Sequence, residues 1–172
     1  MQFEIEFQAD HLTRIMEAVR REVATPQEML GSIGESLFGV NQERHDQGVD
    51  PNGEAWAELA ESTKAAGNRK GGPLNRTGRM LRNFHYQVQG NSLRLGFDAG
   101  DGFPAVFHQD GSKAHVIAAR RAKALAFGGM FRKRVNHPGL PARPLVGFPD
   151  SDQQLVADVA ADHLSLVLNS VR

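Results

Sequence analysis

Hydrophobic positions along the chain change period several times, and each change predicts a different element. In Met1–Phe7, "MQFEIEF", Phe3, Ile5 and Phe7 alternate with polar residues, the period of a half-buried strand. From His11 the period lengthens: Leu12, Ile15, Met16, Val19 and Val23 form one stripe of an amphipathic helix. Thr25-Pro26-Gln27-Glu28 reads as a capping box with proline at the first helical position. A second helix should start there, with Met29, Leu30, Ile33, Leu37 and Val40 as its stripe and Gly31 and Gly34 weakening it. In "DPNGEAWAEL", residues 50–59, Pro51, Asn52 and Gly53 suit a tight turn, and Trp56–Ala66 is expected to be a short helix.

Past the breaker "GNRKGGP", residues 67–73, "TGRMLRN" predicts another short helix over 77–83. "FHYQVQGNSLRLGF" predicts a hairpin over 84–97 around Gly90-Asn91. "FPAVFHQDG", residues 103–111, reads as a third strand that Pro104 confines to an edge. Residues 112–149 are basic, rich in glycine and proline, and aperiodic; "AKALAFGG" within them could be a strand. From Asp150 or Ser151, as cap, a C-terminal helix follows through Val156, Val159, Ala160, His163, Val167 and Val171. The expected fold class is α+β: one domain over residues 1–172, a small, mostly antiparallel sheet packed with N-terminal helices and a C-terminal helix, and a long basic arm at about 112–139.

Charge sharpens this picture. The formal net charge is zero, yet residues 1–62 carry 13 acidic against 4 basic groups, and residues 63–149 carry 3 against 15. Between Gly111 and Pro149 there is no acid at all. Segregation of this kind gives copies of one chain complementary faces. With no cysteine, thiolate chemistry and disulfides are excluded. No apolar run reaches the roughly 20 residues of a membrane span, which predicts a soluble chain made in the cytosol.

Chemical constellations are sparse. "GSIGES" is not a nucleophile elbow, "GNRKGG" lacks the Ser or Thr of a phosphate loop, and "DPNGE" lacks the glutamate that closes a calcium loop. His108, Asp110 and His115 could hold a metal if the loop folded back, or could belong to a strand end and a solvated turn. Neither a metal nor another cofactor is expected. The cations Lys113, Arg120, Arg121, Lys123, Arg132, Lys133 and Arg134 could neutralise phosphates, or could meet the acidic third of a neighbouring copy. Phe127 and Phe131 are their only interleaved rings, which favours a protein partner over DNA.

Four stretches in order resemble the phage virion morphogenesis family, which includes Mu-like and P2-like tail completion proteins and is related to neck proteins of long-tailed phages. They are "DPNGEAWAEL" with Thr63 and Lys64 behind it, "LNRTGRMLRNF" at 74–84, "AVFHQDG" at 105–111 and "LPARPLVGFPDSD" at 140–152. Met80 and Leu81 stand where the family has one leucine, and 112–139 is longer and more basic than in short relatives. The resemblance implies a structural virion protein at the head–tail junction, assembled in the bacterial cytoplasm, with no enzymatic activity. Its expected partners are further copies in a ring, a hexamer by tail symmetry, and other neck, portal-side or tail-tube proteins, with non-specific contact with packaged DNA. Alternatives are a DNA-binding module, a transient capsid-assembly factor, or a hydrolase built on His108, Asp110 and His115.

Structural roles are expected of Pro51, Gly53, Trp56, Gly78 and Gly111. Trp56 either locks the short helix onto the core or anchors a neighbour. "PARP" is either a stiff elbow before the last helix or a device that puts Arg143 in an ion pair with another subunit.

Overall fold

The computed structural model describes residues 9–65, 72–98, 104–120, 123–127 and 129–171. The expected strand at Met1–Phe7 and most of the 67–73 breaker lie outside them. The chain is an α+β protein. Helix α1 (Asp10–Ala24) leads into α2 (Gln27–Gln47) and the short α3 (Glu61–Ala65). A single 3₁₀ turn (Leu81–Asn83) precedes the hairpin of β1 (Phe84–Gln89) and β2 (Ser92–Phe97). Then come α4 (Pro104–Gln109), the strands β3 (His115–Ala118), β4 (Leu125–Phe127), β5 (Met130–Arg132) and β6 (Arg134–His137), and finally α5 (Asp150–Ser170). Among the described residues the strands make three two-stranded sheets, β1–β2, β3–β6 and β4–β5.

Two compact units interleave along the sequence. The first comprises residues 1–39, 86–95 and 150–172. Here α1 packs on α5, burying Ala18, and the Glu22 carboxylate meets the His163 imidazole at 2.7 Å. Gly34 has a reason to be glycine: a Cβ there would run into the Tyr86 ring and Leu93. The hairpin therefore approaches α2 closely at that point. Tyr86 also donates its hydroxyl to Glu35 at 3.0 Å and packs on Phe38 with ring centroids 6.2 Å apart. That hydrogen bond raises the Tyr86 pKa above the usual phenol value. Asp152, in the first turn of α5, is 1% exposed. A carboxylate is favoured at that end by the helix dipole and the unbonded N–H groups.

The second unit comprises residues 40–85 and 96–149. The last turns of α2 enter it and stop at Gly48, whose φ is +72°. Gly48 N–H donates to His45 O (3.1 Å) and Val49 N–H to Arg44 O (3.0 Å), the paired bonds of a Schellman cap. In the next turn Asp50 Oδ1 accepts from the N–H groups of Asn52 and Glu54, at 2.8 and 2.9 Å, and Gly53 takes φ +86°. The chain thus doubles back, Trp56 N–H reaches Gly48 O at 2.9 Å, and the indole enters a core with Met80, Ala105 and Leu145. Trp56 is 7% exposed, its Nε1 donates to Pro144 O at 2.9 Å, and the His45 ring stands edge-on to it with centroids 5.2 Å apart. Pro51 is buried against Gly147.

Three expected elements differ. Trp56–Ala60 is irregular and only Glu61–Ala65 is helical; the Ala57 and Glu58 carbonyls accept from the Arg143 side chain instead of from a following helical turn. Residues 77–83 give turns and the 3₁₀ step instead of a continuous helix. Gly78 adopts φ +69° in these turns, where most side chains would be strained. Residues 104–109 are helical, not a strand. Pro104 suits the first helical position, Ala105 is buried, and the Gln109 amide clamps the segment by donating to Val146 O at 2.8 Å and accepting from Leu145 N–H at 2.8 Å.

Candidate interface: a basic ribbon and the groove at its base

The expected arm at 112–139 is a set of nested antiparallel pairings. At its base Ser112 and Leu140 exchange backbone hydrogen bonds of 2.9 and 3.0 Å. Beyond them β3 pairs with β6 in the register His115–His137, Val116–Asn136, Ile117–Val135 and Ala118–Arg134. Further out β4 pairs with β5 as Leu125–Arg132, Ala126–Phe131 and Phe127–Met130. Glycines permit the close crossing at the base. Gly111 (φ +71°) would bring a Cβ to 2.6 Å from Leu140 O, and a Cβ on Gly139 (φ +95°) would collide with Ser112 O.

Opposite residues share a face. His115, Ile117, Val135 and His137 lie on one face of the β3–β6 ladder, and Val135 and His137 are half-buried. The two imidazoles sit 5.1 Å apart by ring centroid. His115 Nδ1 contacts Lys113 O at 2.9 Å, and His137 Nδ1 accepts from Gly139 N–H at 3.1 Å. The other face, with Val116, Ala118, Arg134 and Asn136, is exposed throughout.

The cations read from the sequence separate into two groups. Lys113, Arg120, Lys123, Arg132, Lys133 and Arg134 are all exposed on the ribbon and its turns; Arg121 lies outside the described residues. Phe131, 76% exposed, and Met130 and Val116, also exposed, stand among them. Arg143 departs from the expected intersubunit role: it is 4% exposed, and its Nε and Nη2 donate to Ala57 O and Glu58 O, each at 2.7 Å. Burial within its own unit removes that guanidinium from the surface. "PARP" supports the tryptophan: Arg143 holds the irregular lead-out from Trp56, and Pro144 accepts the indole N–H.

Between residues 58–63, the turn at 74–80 and residues 137–141 opens a groove of about 1100 Å³. Leu59, Leu74, Met80 and Leu140 supply its apolar lining, and Arg76, Arg79 and Arg143 its positive charge. Glu58 is the only acid lining it among the described residues. Lys64 engages that acid at 2.7 Å, and Glu61 at 2.9 Å. The hydrogen bond from Lys64 holds Glu58 below the usual carboxylate range, and the same bond raises Lys64.

His108, Asp110 and His115 do not converge. His108 lines the groove from α4, Asp110 is exposed, and His115 stacks on the ribbon; among the described residues no group of three His, Asp or Glu could hold a metal. Sequence reasoning missed His45, whose ring is buried against Trp56 and whose two ring nitrogens have no hydrogen-bond partner among the described residues. Burial lowers its pKa below 6.5, partly offset by Asp46 at 4.0 Å. Its signal in the sequence is weak, since a histidine in the last turn of a helix reads as a solvated dipole partner.

The result is an α+β protein that carries an exposed, acid-free cationic ribbon and a cationic groove at its base. A model of the phage virion morphogenesis family matches residues 7–165, nearly the whole chain, and the protein belongs to that family. Its role accordingly lies in the structure or assembly of a phage virion. No curated protein and no solved structure matches the chain. Among the described residues no helix is long and apolar enough to cross a membrane.

Proposed function

We propose that this is a head–tail joining or tail completion protein, without catalytic activity, that assembles side by side into a closed homo-oligomeric ring, a hexamer. The ring contact is heterologous: the basic middle of one copy meets the acidic N-terminal third of the next, and the rotation closes. The ring in turn contacts neck, portal-side or tail-tube proteins. The observation that carries this reading is the acid-free stretch Gly111–Pro149, which places six described cations and the bare Phe131 ring on an exposed paired ribbon. Among the described residues none of those six cations makes an ion pair, so their charge is available to a partner. A two-stranded ribbon with one face bare and the other only half-covered gains its burial on docking.

Replacing Arg132, Lys133 and Arg134 by glutamate tests it. The triple variant should keep the far-UV circular dichroism of the folded chain and run as a monomer in light scattering, and it should fail to complement particle assembly. Unchanged ring mass and unchanged particle yield refute the reading. Raising salt should weaken wild-type association, since exposed charges are screened over roughly 10 Å at 0.1 M.

A further inference from the structure

We propose that the outer part of the ribbon, residues 130–134, seats on the face formed by α1 and α5 of a neighbouring copy, with Phe131 against Leu166 and the cations beside it against Asp158 and Asp162. The inference rests on the ring reading above and adds α5 to the acidic N-terminal third as the receiving element. Among the described residues the exposed large hydrophobic side chains fall in three places: the ribbon, the α1–α5 pair, and α4 with Phe148. Groups of this kind on a soluble protein mark contacts with a partner. Helix α2 carries Glu28, Glu35, Glu43 and Asp46 but exposes no large hydrophobic side chain, and α4 carries no acid. The α1–α5 pair alone joins bare apolar residues to a run of acids.

Packing within the unit covers only part of the apolar arc on α1. Ala18 is buried and Ile15 and Val19 are half-buried, while Leu12, Met16 and Val23 are exposed. The Glu22–His163 contact at 2.7 Å joins the two helices. Val23 adjoins it on α1, and Leu166, one turn beyond His163 on α5, is 70% exposed. Asp158, Asp162 and Leu166 follow at i, i+4 and i+8, within about 80° of one another around the helix, and all three are exposed. Gln154 donates to Asp158 at 2.7 Å, and neither aspartate pairs with a cation among the described residues. Residues 150–171 hold no lysine or arginine, so none on α5 offsets these charges. On the ribbon, Arg132, Lys133 and Arg134 follow directly on Phe131 and are likewise exposed and without an ion pair among the described residues. Exposed ion pairs contribute little one by one, so burial of Phe131 on Leu166 supplies the affinity and the charges select the neighbour's α5. A contact between two different patches is heterologous, as a ring requires.

A charge-swap mixing experiment tests the contact. One variant carries D158K and D162K; the other carries R132E, K133E and R134E. Each is purified alone and mixed in equal amounts, with mass read by light scattering and folding by circular dichroism. In the first variant ribbon and receiving face are both cationic, and in the second both are anionic, so each alone should be monomeric. In the mixture every ribbon finds a face of opposite charge, so the oligomer mass should return. Leu166→Ser, at an exposed position, should leave folding intact and raise the concentration needed for half-assembly by about tenfold. If the D158K/D162K variant assembles as the wild type does, if both charge variants fold and their mixture stays monomeric, or if Leu166→Ser assembles at the wild-type concentration, the proposal fails while the ring reading stands. Should D158K/D162K fail to fold, Leu166→Ser decides alone. Normal rings of the D158K/D162K variant that no longer join particles also overturn the proposal, and assign the face to a different virion protein. A wild-type chain that is itself monomeric overturns both readings.

Discussion

Replacing Arg143 separates a residue that supports the fold from one that joins subunits. The side chain is 4% exposed and donates to Ala57 O and Glu58 O, each at 2.7 Å. A hydrogen bond from a charged group contributes roughly 1.5–3 kcal/mol, and a buried carbonyl left alone costs about 1–3 kcal/mol. Ala57 and Glu58 lie at the surface, so water can reach their carbonyls once the guanidinium is gone. That relief brings the expected cost of Arg143→Ala to about 2–4 kcal/mol rather than the sum of two full bonds. The midpoint of thermal unfolding should fall by about 5–15 °C. Arg143→Lys should recover part of the loss, because an ammonium keeps the charge but cannot present the planar fork that spans two carbonyls. Denaturant titration followed by tryptophan fluorescence reads both effects, since Trp56 shares this contact through Pro144 O at 2.9 Å. A loss below about 0.5 kcal/mol for Arg143→Ala, within the range of ordinary surface substitutions, refutes the reasoning. Lost assembly at unchanged stability would return Arg143 to the interface.

Two further substitutions test other parts of the fold. Gly34→Ala should destabilise by about 1–3 kcal/mol, because the new methyl meets the Tyr86 ring and Leu93. Gly31→Ala, in the same helix with nothing within 4 Å of its Cβ position, should be neutral or stabilising by about 0.5–1 kcal/mol; equal effects in urea denaturation would discount the close approach. His45 sets a pH dependence: its folded pKa lies below the ordinary 6.5, so the unfolded chain binds the proton more tightly. Stability from this group is therefore present above pH 6.5 and is lost as pH falls below it. His45→Phe keeps an aromatic ring against Trp56 and removes the titration, so its stability should depend less on pH between about pH 5 and 7; an unchanged slope would exclude His45 as the source.

The elements legible in the sequence are those whose cause is local. Helix α1, the start of α2 after Thr25-Pro26, the Gly90 turn (φ +58°) of the hairpin and α5 with its acidic first turn each follow from propensity and period over neighbouring residues, although Leu12, Met16 and Val23 of the α1 stripe are exposed. The charge segregation and the four ordered stretches that carry the family resemblance were likewise present in the string of residues. The ribbon at 112–139 escaped pattern reading for a physical reason. A two-stranded ladder with one face bare and the other only half-covered does not require the alternation that marks a half-buried strand.

Tertiary structure alone decided what distant residues do to one another. Arg143 holds the irregular Trp56–Ala60 segment by bonding carbonyls 86 and 85 residues away in sequence, and Gln109 holds 104–109 as a helix through Leu145 and Val146. It also moved Arg143 from a presumed surface cation to a buried support, and brought the 58–63, 74–80 and 137–141 segments around one groove. Local propensities amount to tenths of a kcal/mol per residue, whereas a charge-assisted bond from a distant side chain contributes roughly 1.5–3 kcal/mol, so the distant partner prevails wherever it reaches.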